Sequence, residues 1–280
     1  MATVVRQYDL HTHSTYSDGV LGPAGVVDRA VAAGVTCLAL SDHDETGGLY
    51  EASWRARELG IELIRGVEIS ATWRAHTLHV IGLHIDADHA ELRAGLAGIR
   101  AGRHERACRI AQGLERAGVA GSLQGARAHA ANPDLVSRTH FARYLVQQGH
   151  ARDLNAAFRR FLGAGAVGYV THQWAELEET LYWITVSGGL PVLAHPARYK
   201  LDHAQREALL STFRDLGGVA VEVVSGNHTP DQAAVWARYA ARFGLLASAG
   251  SDFHGPTGGR DGIGHLPELP SGCVPVWTKF

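Results

Sequence analysis

The stretch Thr36-Cys37-Leu38-Ala39-Leu40-Ser41-Asp42-His43-Asp44 carries a short, mostly apolar run that gives way at once to four polar residues. A run of this length, without helical spacing, reads as a buried strand whose carboxyl end presents chemistry-bearing side chains. The same pattern precedes it, where Val4–Leu10 closes on His11-Thr12-His13. Side chains alternate along extended backbone, so His11 and His13 share a face and can grip one ion together. Asp18 and the Asp42-His43 pair offer further oxygen and nitrogen donors.

Five more runs read as strands: Ile61–Ile69, Thr77–Ile85, Leu190–Ala194, Val219–Val224 and Leu245–Ala249, seven in all. Between strands, Ala24–Ala33 and Gly48–Leu59 have helical spacing and stop at Gly34 and Gly60, residues suited to a left-handed turn. Glu176–Val186, Asp202–Leu216 and Pro230–Phe243 read the same way. Strand and helix in alternation imply an α/β fold with a parallel sheet, closed or doubly wound, and functional residues at the carboxyl ends of its strands. From about Asp88 to Trp174 the rhythm breaks into helices rich in Arg, which marks residues 88–174 as an inserted helical subdomain. Within it Asn132-Pro133-Asp134 is a turn ahead of a helix over Arg138–Gln147.

Composition narrows the chemistry. With 280 residues, 46% hydrophobic and 19% charged, the chain can bury a large core, and a net charge of -2 gives no global field toward polyanions or membranes. Cys37, Cys108 and Cys273 are too scattered for a disulfide framework or a thiolate zinc site, so a reducing cytoplasm fits. The start shows no basic segment followed by a long apolar one, and no apolar run approaches a membrane span, so a soluble chain without a removed leader is expected. Seventeen His against one Met favour imidazole and carboxylate ligation of a divalent ion. His89, His129, His150, His172, His203 and His228 sit in polar or turn-like contexts and are set aside. The remaining candidates gather at strand ends: Glu68, His79, His195, Asp252 and His254 join His11, His13 and His43. His76 and His84 flank the strand of His79 and are alternates if its register differs.

Five blocks, Asp9-Leu10-His11-Thr12-His13, Ser41-Asp42-His43-Asp44, Gly66-Val67-Glu68, Ala194-His195-Pro196 and Ser251-Asp252-Phe253-His254, make the chain resemble the polymerase and histidinol phosphatase (PHP) superfamily over nearly its whole length. The resemblance implies a distorted (β/α)7 barrel, formed here by residues 1–87 and 175–280, holding three divalent ions at its mouth, manganese first, with iron or zinc as alternatives. By that resemblance His11, His13, Glu68 and Asp252 hold one ion, and Glu68 bridges to a second bound by His79 and His195. Asp18, His43 and His254 hold the third. A hydroxide held by Glu68, His43 and His254 is the implied nucleophile, with Asp42 and Asp44 orienting His43 or its neighbours.

Ser137-Arg138-Thr139-His140-Phe141-Ala142, Gly168-Tyr169-Val170 and Gln173-Trp174 are similar to one branch of that superfamily, the nucleoside 3',5'-bisphosphate phosphatases and related 5'-3' exoribonucleases acting on short RNA. The implied substrate is a nucleotide or a short RNA, without a membrane or an obligatory protein partner. Arg100, Arg103, His104, Arg138 and His140 are the expected anion-binding residues of the cap, with Tyr144, Tyr169 or Trp174 available for base stacking. Two alternatives stand beside this reading: a phosphatase of a small phosphomonoester such as histidinol phosphate, and a PHP module that binds without catalysing.

Overall fold

The computed structural model describes residues 6–255 and 262–280. Its elements run β1 (Tyr8–Asp9), α1 (Pro23–Ala32), β2 (Cys37–Leu40), α2 (Leu49–Leu59), β3 (Glu62–Trp73), β4 (His76–Leu83), α3 (Ala90–Arg116), α4 (Ser122–Ala128), α5 (Arg138–Gln147) and α6 (Leu154–Ala157). Then come β5 (Ala175–Glu176), α7 (Leu177–Val186), β6 (Leu190–Leu193), α8 (His203–Asp215), β7 (Ala220–Ser225), α9 (Pro230–Phe243) and β8 (Leu246–Gly250). All seven expected strands and the five expected flanking helices form, with shifts at their ends. Val4 and Val5, which open the first expected strand, lie outside the described residues.

All four residues of β2 are buried, because the strand has apolar neighbours on both faces. Cys37 and Ala39 join Leu10, Ile64, Ile81, Val192 and Ala220 in one cluster, while Leu38 and Leu40 join Val26, Ala52 and Ile69 in another. The period-two split thus separates the interior of the sheet from the layer between strands and helices. The strands are ordered β1-β2-β3-β4-β6-β7-β8, with β5 paired to β3. Beyond β1 and β8 the sheet nearly closes on itself: Leu10 N donates to Ala249 O at 3.0 Å, Asp252 N to His11 O at 2.9 Å and His13 N to Phe253 O at 2.9 Å. The result is a mixed α/β, nearly closed barrel.

One strand departs from the expected parallel order. β4 is antiparallel to both β3 and β6, and Trp73 pairs with His76 across the two-residue turn Arg74-Ala75. So short a link leaves no room for a crossover helix, so the chain must double back. β3 also runs four residues past the expected end at Ile69, and its extension, Ala71–Thr72, pairs with the unforeseen β5.

The helices between β4 and β5 have a cluster of their own, in which Phe141, Leu145 and Leu162 are fully buried. Helix α3 belongs to both layers. Its first half places Leu92, Leu96 and Ile99 against the barrel, and its second half places Ala107, Ile110 and Leu114 in the helical cluster. Ser137 caps α5 by accepting from Thr139 N at 3.1 Å, and His140 Nδ1 accepts from Ser137 N at 3.0 Å.

Where the barrel closes, Gly250 leaves space that no side chain can fill, since a Cβ there would lie 2.3 Å from His11 Cβ and 2.7 Å from Glu222 Oε1. Gly250→Ala is therefore expected to lower unfolding free energy by about 1–3 kcal/mol through overpacking. Denaturant melts read the change, and an unaltered midpoint would show that the seam between β1 and β8 yields freely.

Candidate metal centre

The closing seam and the strand ends beside it aim nine donors at one region. His11 and His13 leave β1, His43 follows β2, Glu68 and His79 sit within β3 and β4, and His195, Asp252 and His254 follow β6 and β8. Asp18 enters from the loop before α1. Their ligand atoms form four groups, each within 4.8 Å of one another: His13, Asp18, His43 and His254; His11, Glu68 and His195; His11, His13 and Asp252; His43, Glu68 and His79. His79 reaches this region, whereas His76 stays at the hairpin beside Trp73 and His84 packs on Phe280. His43 lies near both Glu68 and Asp18, so the geometry links groups that the resemblance keeps apart.

Glu68 is the centre. Its Oε2 lies 3.3 Å from His11 Nε2, 3.4 Å from His13 Nε2 and 2.8 Å from His43 Nδ1, while Oε1 meets His79 Nδ1 at 3.0 Å and His195 Nε2 at 2.9 Å. Asp252 Oδ1 stands 3.5 Å from His11 Nε2 and 3.3 Å from His13 Nε2, and His254 Nε2 is 3.0 Å from Asp18 Oδ1. Burial alone would raise the Glu68 carboxyl, but the imidazoles of His43, His11 and His79 outweigh it and hold the group well below the usual carboxylate range. Burial and the neighbouring His254 and His43 push His13 down to about 3, which leaves its ring neutral with a lone pair free. For His254, desolvation is overcome by Asp18 and Asp252, which lift it to about 9.

Several of these atoms are buried and have no hydrogen-bond partner: Asp18 Oδ1, His43 Nδ1 and Glu68 Oε2. His43 Nδ1 and Glu68 Oε2 are close yet misaligned for a hydrogen bond. Buried carboxylate and imidazole atoms that converge without well-formed hydrogen bonds fit a divalent cation.

Carboxylates behind the donors fix their orientation. Glu222, fully buried in β7, places Oε1 3.0 Å from His11 Nδ1 and accepts from His195 N through Oε2 at 2.6 Å. An acid in the apolar run Val219–Val224 was the sequence signal for it, and the strand reading passed over it. Asp9 Oδ1 accepts from Ser251 N at 2.8 Å, and burial lifts its carboxyl to about 6 against that bond. Asp42 and Asp44 are expected to orient His43 or its neighbours; among the described residues neither hydrogen-bonds His43, and each holds a segment beside another donor. Asp42 accepts from Ser14 N, Ser14 Oγ and Ser17 Oγ, holding the loop that carries Asp18. Asp44, at φ 50°, accepts from Ser70 N at 2.7 Å and from the Arg103 guanidinium.

The expected anion-binding residues divide. Arg103 is buried on Asp44 and over the Trp174 ring, and Arg100 donates to Asp44 O at 2.8 Å, so both hold the loop after β2. His140 is buried in the α5 cap, and His104 faces Cys108 and Arg127 on the surface. Trp174 lies beneath Arg103 and Arg106, and Tyr144 is half-buried and donates to Ala120 O, which leaves Tyr169 the most open of the three expected stacking residues. Arg138 lies half-buried over Phe158. Sequence reasoning missed one cation, Arg198, and left Arg106 of the Arg-rich segment 100–106 off the list of anion-binding residues. Arg198 Nη1 meets Asp252 Oδ2 at 2.7 Å, and Arg106 is buried with its Nε unpartnered. Burial, then Arg138 and Arg103, depress the Arg106 guanidinium to about 9. It stays charged at neutral pH, and an anion beside it would relieve both penalties.

Among the described residues no helix is long and apolar enough to cross a membrane. The family model for the PHP domain matches residues 9–214. A 3',5'-nucleoside bisphosphate phosphatase of Chromobacterium violaceum is 49% identical over 273 residues, covering 97% of this chain and 95% of that protein. A 5'-3' exoribonuclease of Haemophilus influenzae is 42% identical over 277 residues, 99% of this chain and 100% of that protein. The solved structure of an amidohydrolase from Chromobacterium violaceum with bound sulfate superimposes with a TM-score of 0.95 at 47% identity, covering 98% of this chain and 95% of the other. With its barrel and matched sequence, this chain belongs to the PHP domain family.

Proposed function

We propose that this chain is a metal-dependent phosphoesterase that removes the 3'-phosphate of nucleoside 3',5'-bisphosphates and also degrades short RNA from its 5' end. The observation that carries this reading is the convergence of nine imidazole and carboxylate donors on one region, with the buried, unpartnered Oε2 of Glu68 at its centre. The similarity to a bisphosphate phosphatase and an exoribonuclease over nearly full length supports the substrate class. His11, His13, Asp18, His43, Glu68, His79, His195, Asp252 and His254 would hold divalent ions, in our reading three, with manganese preferred over iron or zinc. Bound there, such ions supply a nucleophile from water at neutral pH and neutralise charge on phosphoryl oxygens.

The chain's own residues do the rest. Glu222 and Asp9 fix the backbone and rings at the closing seam, so the donors need not reorganise. Arg198 stands beside Asp252, and Arg106 lies near Arg138, which provides fixed cations for the two phosphates of the substrate. Tyr169 is the aromatic open to a base. Residues 88–174 act in this reading as a cap on the barrel of 1–87 and 175–280, and the cytoplasm suits the three free cysteines.

Manganese-loaded protein is expected to turn over a nucleoside 3',5'-bisphosphate with far higher kcat/KM than histidinol phosphate. Comparable turnover of the two in a phosphate-release assay would refute the substrate assignment. Asp252→Asn should reduce kcat by about 100-fold or more under metal saturation, because a charged donor is lost. Glu222→Gln should weaken metal affinity by about 10- to 100-fold, read by metal titration, with activity restored at high metal. Arg138→Ala should raise KM for the bisphosphate more than for a nucleoside 3'-monophosphate, and equal losses on both would remove Arg138 from the second phosphate.

A further inference from the structure

On the outer wall of the barrel, beside the loop that carries His43, lies a groove of about 1070 Å³ between α2 and α3. Along α2 its wall presents Tyr50 and Trp54, spaced i, i+4 on one face and exposed by 85% and 56%. Two aromatic rings left this open gain nothing for the core, and they stand out among the large exposed side chains. Arg57 continues the same face, and Arg93 lines the opposite wall. Neither has an ion-pair partner among the described residues. Arg65 and Arg100 are the other cations of the lining. The two acids in the groove are both faced by cations, Asp88 by Arg65 at 3.9 Å and Glu45 by Arg100 at 3.6 Å. The balance is therefore positive.

Direction follows from the connectivity. Arg100 donates to the backbone oxygen of Asp44, the residue after His43, so one end of the groove lies at the loop that carries His43. The segment of α3 from Arg93 to Arg100 spans about 10 Å at the helical rise, and the groove follows it away from the barrel mouth. Two stackable rings flanked by unpaired guanidinium groups, leading away from a phosphoesterase centre, match a single-stranded polyanion with π-faced bases.

We propose that this groove binds the downstream nucleotides of an RNA whose 5' end lies at the metal centre, with Tyr50 and Trp54 stacking bases and Arg57 and Arg93 meeting phosphates. The proposal rests on the reading that RNA ends are substrates. Open aromatics and arginines also suit a protein interface; what favours RNA here is a net positive lining that begins at the loop carrying His43.

The test uses the full chain with a 5'-phosphorylated, fluorescently labelled oligoribonucleotide. Binding is followed by anisotropy in EDTA, and hydrolysis of a nucleoside 3',5'-bisphosphate is measured in parallel with metal. Trp54→Ala is expected to weaken oligonucleotide binding by about 5- to 150-fold, the range for loss of one base stack. Arg57→Ala with Arg93→Ala should reduce the slope of log affinity against log salt by about 1.4, at roughly 0.7 per phosphate. Both variants should hydrolyse the mononucleotide like the unaltered chain. Unchanged oligonucleotide affinity in the variants, absence of binding by the unaltered chain, or equal loss on both substrates overturns the groove. Binding that depends on Trp54 without RNA cleavage would sustain the groove while refuting the nuclease reading.

Discussion

Glu68 sits in the middle of β3 with no exposed surface and five imidazoles within 3.4 Å of its two carboxylate oxygens. A buried carboxylate costs several kcal/mol in desolvation unless opposite charge repays it. The imidazoles that surround it cannot all be protonated, because they crowd one another: His13 and His254 have ring centroids 4.1 Å apart and His13 and His43 4.6 Å apart. Carboxylates demand positive charge, and packed rings resist supplying it as protons. Divalent ions resolve that conflict, since they bring charge while using the lone pairs of neutral imidazoles. Much of the local architecture follows from this constraint. The left-handed φ of His195 (27°) and Asp252 (52°) aims two donors inward at some backbone cost.

The helices between β4 and β5 are tied to the same centre by polar bonds. Arg103 joins Asp44, Ser137 Oγ donates to Asp18 Oδ2 at 3.0 Å, and Arg143 donates to Asp18 O at 2.5 Å. Asn132 Nδ2 donates to Tyr16 O at 3.2 Å. These bonds reach the loop of Asp18 and the loop of His43, so the placement of two donors depends on residues more than 50 positions away in sequence. Arginines that look like anion receptors in a linear reading are in part fasteners. Distinguishing the two roles requires knowing which guanidinium finds a carboxylate first.

That distinction marks the limit of what the sequence makes legible. Strands and their donor-bearing ends are readable because a buried strand is short and apolar, and because a His or Asp at its end interrupts that pattern visibly. The convergence of nine such residues is then a consequence of barrel closure. The reversal of β4 is not readable in the same way, since Arg74-Ala75 lacks the Gly or Asn that usually announces a tight hairpin. Glu222 was legible and passed over: an acid inside an apolar strand must find a partner, and here it finds His11. Arg103 and His140 misled for the opposite reason, since their chemistry suits a phosphate and nothing local discloses that Asp44 and the Ser137 cap have claimed them.

Arg106 completes the picture from the other side. It is as buried as Arg103 and stacks on the same Trp174 ring, yet among the described residues no carboxylate meets it and its Nε has no partner. A fold that supplies Asp44 for one arginine and leaves its neighbour unpaired holds a cation in a costly state. Arg138 beside it deepens that cost, because two guanidinium groups repel across a poorly solvated space. Such an arrangement is stable only as part of a structure strong enough to impose it, which the apolar cluster around Phe141 and Leu162 provides. The deficit of negative charge at Arg106 and Arg138 and the surplus of unpartnered donors around Glu68 are complementary needs, and in the proposed function a phosphate ester with metal ions would meet both at once.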